Sequence, residues 1–328
     1  MSEDGDRIPL HVALPTPFDE KGQPDGAALE RLCAYFQERS IDGVVAFHDG
    51  GEDTQLTPED RRLILERITK RIGAPKEVWV TVRSPWTRGA VDEIRHAEQM
   101  GAAAILLALP LVPGIGYAEA YRHVERAARA TKLPLHLWVS PLSALSVLAA
   151  EELDVVAEPE GVQGVVLGEA SPGIAEAWSR RFGSRERRVW WPCAFSFDEG
   201  FRAGANGVVC GLSALGAEQA VRFVTAVARR EEKTVRSGRK KFKPLVELLG
   251  PPRFDEEPDA LQRWAAWLAR RPLDGGVVAP PVPFRMIKEG LRLQGHGLRS
   301  WVRPPFGPVS DTERERLQAV LRSAGLLS

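Results

Sequence analysis

Short apolar runs alternate with amphipathic stretches of helical spacing along most of this chain. No other feature of the sequence restricts its fold as much. The runs fall at Leu10–Leu14, Gly43–Phe47, Val78–Val82, Ala103–Leu109, Pro134–Val139, Val162–Leu167, Val189–Trp191 and Gly207–Cys210. Each is nearly continuous in hydrophobic residues, as expected of parallel strands covered on both faces. The stretches between them carry helix signals. Asp25 stands as an N-cap before Leu29, Leu32, Cys33 and Phe36 at helical spacing. Thr57-Pro58-Glu59-Asp60 puts a hydroxyl at the cap, proline at the first helical position and acid in the first turn. Further helices are predicted over Trp86–Met100, Tyr117–Thr131, Leu148–Ala157, Pro172–Phe182 and Ala217–Arg230.

Repeated strand–helix units in this order predict a closed (β/α)8 barrel, a TIM barrel of the α/β class. A doubly wound open sheet is the competitor, but no glycine fingerprint follows the first strand, and Gly114-Ile115-Gly116 is too short to count. After Arg230 the pattern changes to helices alone, around Leu245–Leu249, Leu261–Leu268, Arg285–Leu293 and Thr312–Leu321. The expected organisation is a barrel over 1–230 and a helical C-terminal extension over 231–328.

Composition narrows the function classes. The formal net charge is zero, so no overall field draws the chain to nucleic acid or a membrane. Cys33, Cys193 and Cys210 show no paired spacing, which argues for a reducing compartment and against a disulfide frame or structural zinc. The N-terminus is acidic and polar, unlike a signal peptide, and the most apolar run, Ala102–Val112, is interrupted by Pro110. That run falls short of the roughly 20 residues a membrane span needs. The expectation is a cytoplasmic protein. The basic run from Arg229 to Lys243 is broken by Glu231 and Glu232 and is poor in aromatics, so it reads as a solvated helix face or subunit contact, not a nucleic-acid site.

Several motifs resemble those of the dihydrodipicolinate synthase and N-acetylneuraminate lyase family. Ala13-Leu14-Pro15-Thr16-Pro17-Phe18-Asp19 is similar to that family's first strand and turn. Asp42-Gly43-Val44-Val45, Gly51-Glu52 and Leu56-Thr57-Pro58-Glu59 resemble its second strand, G-T-T-G-E loop and next helix start. Arg95-His96-Ala97-Glu98 with Gly101-Ala102, and Ala203-Gly204-Ala205-Asn206-Gly207-Val208, resemble the approaches to its fourth and eighth strands. Lys288, Leu291 and Gly295, then Val302-Arg303-Pro304-Pro305 and Glu313-Arg314, are similar to its C-terminal helices. The resemblance implies a barrel lyase, commonly a homo-oligomer (dimer or tetramer), that acts on a small oxo acid. No cofactor is expected, and no metal, because His48, Asp49 and Glu169 show no recognisable ligand spacing.

The departures fall where the family does its chemistry. Its members hold the oxo acid, usually pyruvate, as a Schiff base on a lysine of the sixth strand. Here that strand reads Val162-Gln163-Gly164-Val165-Val166-Leu167-Gly168-Glu169, with Val166 or Gly168 at the lysine position according to alignment. The family's Y-N-V-P becomes Trp138-Val139-Ser140-Pro141, and the two threonines of its loop become Asp49 and Gly50 after His48. Its tyrosine after the fourth strand is Leu111 or Val112, and its carboxylate-binding arginine is Ser143. The nine lysines, Lys21, Lys70, Lys76, Lys132, Lys233, Lys240, Lys241, Lys243 and Lys288, all fall outside the predicted strands. An imine-forming amine must be desolvated and turned inward, so Schiff-base catalysis is not expected.

Barrel active sites lie at the C-terminal ends of the strands. Those positions hold His48, Asp49 and Glu52, then Arg83, Trp138, Ser140, Glu169 and Cys193. His48, Asp49 and Glu169 are the acid–base candidates, and Arg83 suits bidentate capture of a carboxylate. Trp138, Ser140, Cys193 and Glu52 would line the substrate. The same residues in a lapsed site would simply pair with one another. Two functions follow: acid–base lyase or aldolase-type chemistry on a small carboxylate or carbonyl compound, or a catalytically inactive relative acting as a binding or structural subunit.

Overall fold

Eight parallel strands, joined in sequence order, close into a barrel in which β1 also pairs with β8. The computed structural model describes residues 7–48, 52–109, 115–139, 150–168, 170–182, 187–251 and 284–328. The strands are β1 (Leu10–Ala13), β2 (Gly43–Ala46), β3 (Glu77–Val82), β4 (Ala104–Leu107), β5 (Leu135–Val139), β6 (Val162–Leu167), β7 (Arg188–Trp191) and β8 (Gly207–Cys210). Around them run α1 (Gly26–Gln37), α2 (Pro58–Arg71), α3 (Thr87–Gln99), α4 (Tyr117–Arg129), α5 (Ala150–Val156), α6 (Pro172–Phe182), α7 (Phe197–Arg202) and α8 (Ala217–Ala228). The chain is a (β/α)8 TIM barrel with a helical C-terminal extension.

The local signals act as expected. The Asp25 side chain accepts from Ala28 N, and Thr57 and Asp60 form a reciprocal capping box ahead of Pro58. Two elements differ from the sequence reading. The six-residue α7 is too short to show a helical period. In the extension, α9 runs over Glu232–Leu249 with Pro244 inside it, joining the helical pattern expected around Leu245–Leu249 to the basic run read as a solvated helix face or subunit contact. Its basic first half has no apolar stripe to announce it; Phe242, Leu245, Val246 and Leu249 are the side chains it buries. Among the described residues two further helices follow, α10 (Phe284–Leu293) and α11 (Asp311–Ser323). The helix expected over Leu261–Leu268 lies outside the described residues. Wholly buried Glu289 ties α10 to α11 by accepting from Arg292 and from Arg314 Nε. Burial opposes its ionisation, but hydrogen bonds from Arg292, Ser300 and Arg314 outweigh that and hold its pKa at about 2.

Strand alternation sorts the side chains into two cores. Leu10, Val12, Val44, Val80, Leu107, Leu137, Val165 and Trp191 face the helices. Inside the barrel, the even strands supply Val45, Leu106, Val166 and Val209, and the odd strands supply Trp79, Trp138 and Trp190. Of the Trp190-Trp191 pair only Trp190 faces inward. The pairing of β5 with β6 shifts after Leu135, next to exposed Gln163, so that Gly164 and Val166 face the interior.

The lower end of the interior is closed by rings. His11 and His136 lie 4.2 and 4.5 Å from Trp79, and Trp190 meets Trp79 edge-on at 4.7 Å. Facing glycines make room: a Cβ on Gly207 would come within 2.4 Å of the Trp190 ring, and one on Gly43 within 2.7 Å of His11. Among the described residues, no helix is long and apolar enough to cross a membrane.

Candidate active site at the upper end of the barrel

Strand β3 delivers Arg83 to the C-terminal end of the barrel, beside Trp138 on β5. The Arg83 guanidinium lies 4.3 Å from the centre of the Trp138 ring, near enough for cation–π attraction. Its Nε donates to Asp53 Oδ2 at 2.7 Å. Asp53 belongs to a 3-10 turn, Asp53–Gln55, between β2 and α2, and its side chain is 3% exposed against 18% for Arg83. A carboxylate this buried holds the arginine in one place.

His48, the residue after Phe47 at the end of β2, packs on the same tryptophan at 4.8 Å between ring centres. The residue as a whole is half-buried, and its Nε2 is buried with no hydrogen-bond partner among the described residues. Burial, reinforced by the Arg83 charge, lowers its pKa to about 3. The ring is therefore neutral at physiological pH. The Trp138 indole N–H and the Thr81 hydroxyl, on fully buried residues, also have no partner among the described residues. Three of the residues expected at the site, His48, Arg83 and Trp138, thus meet on one aromatic platform.

The other candidates are placed differently or fall outside the described residues. Asp49, Ser140 and Glu169 are in the second group, as are Leu111, Val112 and Ser143. Cys193 stands apart from the platform, in the apolar layer between strands and helices. A hydrogen bond with Cys210, together with burial, pushes its thiol pKa well above the ordinary range. Glu52 is buried in an ion pair with Lys288 of α10, and both side chains are fully inaccessible. Burial raises the Glu52 pKa to about 7, against the pull of Lys288, and lowers that of Lys288 to about 8, against the pull of Glu52.

Lys288 was expected merely to lie in the extension, and its burial was not foreseen. A signal was present. Phe284, Lys288 and Leu291 share the helical spacing of one apolar stripe, an uncommon place for an ammonium group. Val166, one of the two residues that alignment sets at the family's lysine position, faces the barrel interior and is the register partner of Trp138. None of the nine lysines lies in a strand.

A parallel eight-stranded barrel with an arginine and a histidine gathered at its C-terminal face has the architecture of a barrel enzyme. Its sequence places it more narrowly. Residues 8–252 match the Dihydrodipicolinate synthetase family, and the chain belongs to that family of lyases. A 4-hydroxy-tetrahydrodipicolinate synthase of Chlorobaculum parvum is 25% identical over 316 residues, 96% of this chain and 97% of the relative. A prophage protein of the dihydrodipicolinic acid synthase family from E. coli K12, solved in complex with pyruvate, superposes with a TM-score of 0.81 at 18% identity. That match covers 97% of this chain and 99% of the other. An N-acetylneuraminate lyase from Mycoplasma synoviae superposes with a TM-score of 0.78 at 16% identity, over 98% and 99% of the two chains.

Proposed function

We propose that this chain holds a small oxo acid or related carboxylate non-covalently at Arg83 and acts on it by acid–base chemistry, without a lysine imine. One observation carries the reading: the Arg83 guanidinium is fixed over Trp138, with the neutral His48 imidazole on the same ring. A guanidinium presents a planar fork of donors that matches a carboxylate. A carboxylate there would offset the Arg83 charge that helps to depress the His48 pKa, making the imidazole a better proton acceptor once substrate is bound. Asp49 and Glu169 remain the proposed partners in proton transfer, with Ser140 lining the substrate. Val166 supports the absence of an imine, because a valine offers no amine. The complex of the E. coli K12 relative with pyruvate supports the choice of ligand class.

A second reading, a binding protein without turnover, is favoured by one observation. A histidine with a pKa near 3 is a weak base in the unliganded site.

Two measurements decide. Incubation with pyruvate and borohydride, followed by intact mass, should leave the protein unmodified; an adduct on any lysine, Lys288 included, would overturn the non-covalent mechanism. Oxo acids and sugar acids should bind the wild type and be lost in Arg83→Ala. Failure of every compound to bind or turn over in the wild type rejects the substrate class, and binding that survives the substitution rejects Arg83 as the anchor. Turnover of a bound compound selects the enzyme over the binding protein.

A further inference from the structure

The helical extension grips the turn between β2 and α2 at both ends. At its start, Glu52 adopts a left-handed backbone conformation (φ 58°), unusual for a residue other than glycine, and its carboxylate is paired with Lys288. Lys288 Nζ also donates to Trp301 O at 2.7 Å and lies 4.4 Å from the centre of the Phe18 ring. At the far end, Arg303 donates to Gln55 O and to Asp60 Oδ2, both at 2.6 Å, and through Nε to Gly22 O. Its guanidinium is 4.7 Å from the same Phe18 ring. Between the two grips sits Asp53, which holds Arg83.

Stability alone is a poor explanation for the buried pair. Removing both charges from water costs about as much as their attraction returns, so an apolar pair would serve as well. What ions and hydrogen bonds add is direction. The Glu52 carboxylate must meet the Lys288 ammonium, a second donor of which is directed to the Trp301 carbonyl, and this selects one position for the turn.

We propose that Lys288 and Arg303 are positioning residues: the extension fixes the turn 52–55 so that Asp53 sets the Arg83 guanidinium against Trp138 for carboxylate capture. The last clause rests on the function proposed above. The geometric part, extension to turn to Asp53 to Arg83, stands without it.

The test compares wild type, Lys288→Met and Glu52→Gln/Lys288→Met in the full chain. Three quantities are read: thermal midpoint, the NMR signal of the Arg83 Nε–H, and pyruvate affinity by calorimetry. Lys288→Met should lower the midpoint, because the Glu52 carboxylate is left buried and unpaired. The double variant buries no charge and should recover most of that loss. In both variants the Arg83 Nε–H signal should leave its wild-type position, and pyruvate should bind about tenfold more weakly, as a displaced anchor implies.

A double variant that recovers midpoint, Arg83 signal and affinity together would show the pair to be structural only and would overturn the proposal. If Lys288→Met does not fold, the double variant decides alone. If neither folds, Arg303→Met carries the same test with the buried pair intact: an unmoved Arg83 signal overturns the proposal, and a displaced one upholds it. Should the wild type bind no pyruvate, the carboxylate reading fails, while the Arg83 signal still decides whether the extension positions the arginine.

Discussion

At the lower end of the barrel, His11, Trp79, His136 and Trp190 fill the interior ring against ring, and their charged neighbours lie toward solvent: Arg188 is exposed and Glu77 is half exposed. The Glu77 carboxylate reaches in to accept from Trp79 Nε1 at 2.8 Å and meets His11 Nε2 at 3.0 Å. At the upper end, Trp138 again supplies a large ring and His48 an imidazole, but the charges have moved inside. Arg83 lies on the ring face, held by a buried carboxylate. Buried nitrogens without partners among the described residues occur at both ends, including His136 Nδ1 below and Trp138 Nε1 above. Unpaired polar atoms therefore do not separate packing from function here. A cation on an aromatic face does not separate them by itself either, since exposed Arg188 lies 5.8 Å from the centre of the Trp190 ring. The upper end differs in that Arg83 is largely buried and is held by a buried carboxylate.

The largest effect expected from this contrast is at the lower end. Trp79→Ala should cost about 3–5 kcal/mol of stability, since it empties the centre of a ring cluster that cannot collapse around it. Denaturant unfolding would measure this, and a loss below about 1 kcal/mol would show that the lower rings do not support the barrel.

Acid provides the next test. Burial lowers the His136 pKa to about 3, with a further push from His11. A group whose pKa is depressed on folding contributes stability that is complete above its unfolded value, near 6.5, and is lost as pH falls toward the folded value. Between pH 6.5 and 5, above the range of ordinary carboxylates, this histidine should withdraw about 1–2 kcal/mol. His136→Phe should flatten that part of the stability–pH curve. An unchanged slope would mean that His136 is solvated.

A smaller change, of opposite sign, is expected from Thr81→Val. The Thr81 hydroxyl is buried without a partner among the described residues, and a methyl group of similar shape should stabilise the protein by about 1 kcal/mol. Carboxylate affinity measured on the same variant shows whether the hydroxyl faces the ligand. Smallest of all should be Trp86→Ala on the rim, where the indole is 57% exposed and makes no capping hydrogen bond to α3. Its stability should stay within about 0.5 kcal/mol, with unchanged affinity; a loss of affinity would extend the site beyond the Trp138 platform.

Much of the barrel was legible because a parallel strand covered on both faces advertises itself as an apolar run, and all eight runs became strands. Short or polar helices were harder. The six residues of α7 hold too few turns to show a period, and the Lys240-Lys241 segment of α9 gains its buried face only from the barrel beneath it. At the site, strand ends pointed to His48, Arg83 and Trp138. They did not point to Asp53, which had no motif to mark it until the turn brought it to Arg83 at 2.7 Å.

The sequence by itself determined that neighbouring side chains of a strand face opposite ways, because a strand repeats every two residues, and that no apolar run carries a lysine. Which set lines the interior was left to the structure. The partner of each charge was decided only in three dimensions. Lys288 meets Glu52, and Arg303 meets Asp60, across most of the length of the chain. Such pairings depend on the barrel closing and the extension docking, and no local rule of spacing encodes either.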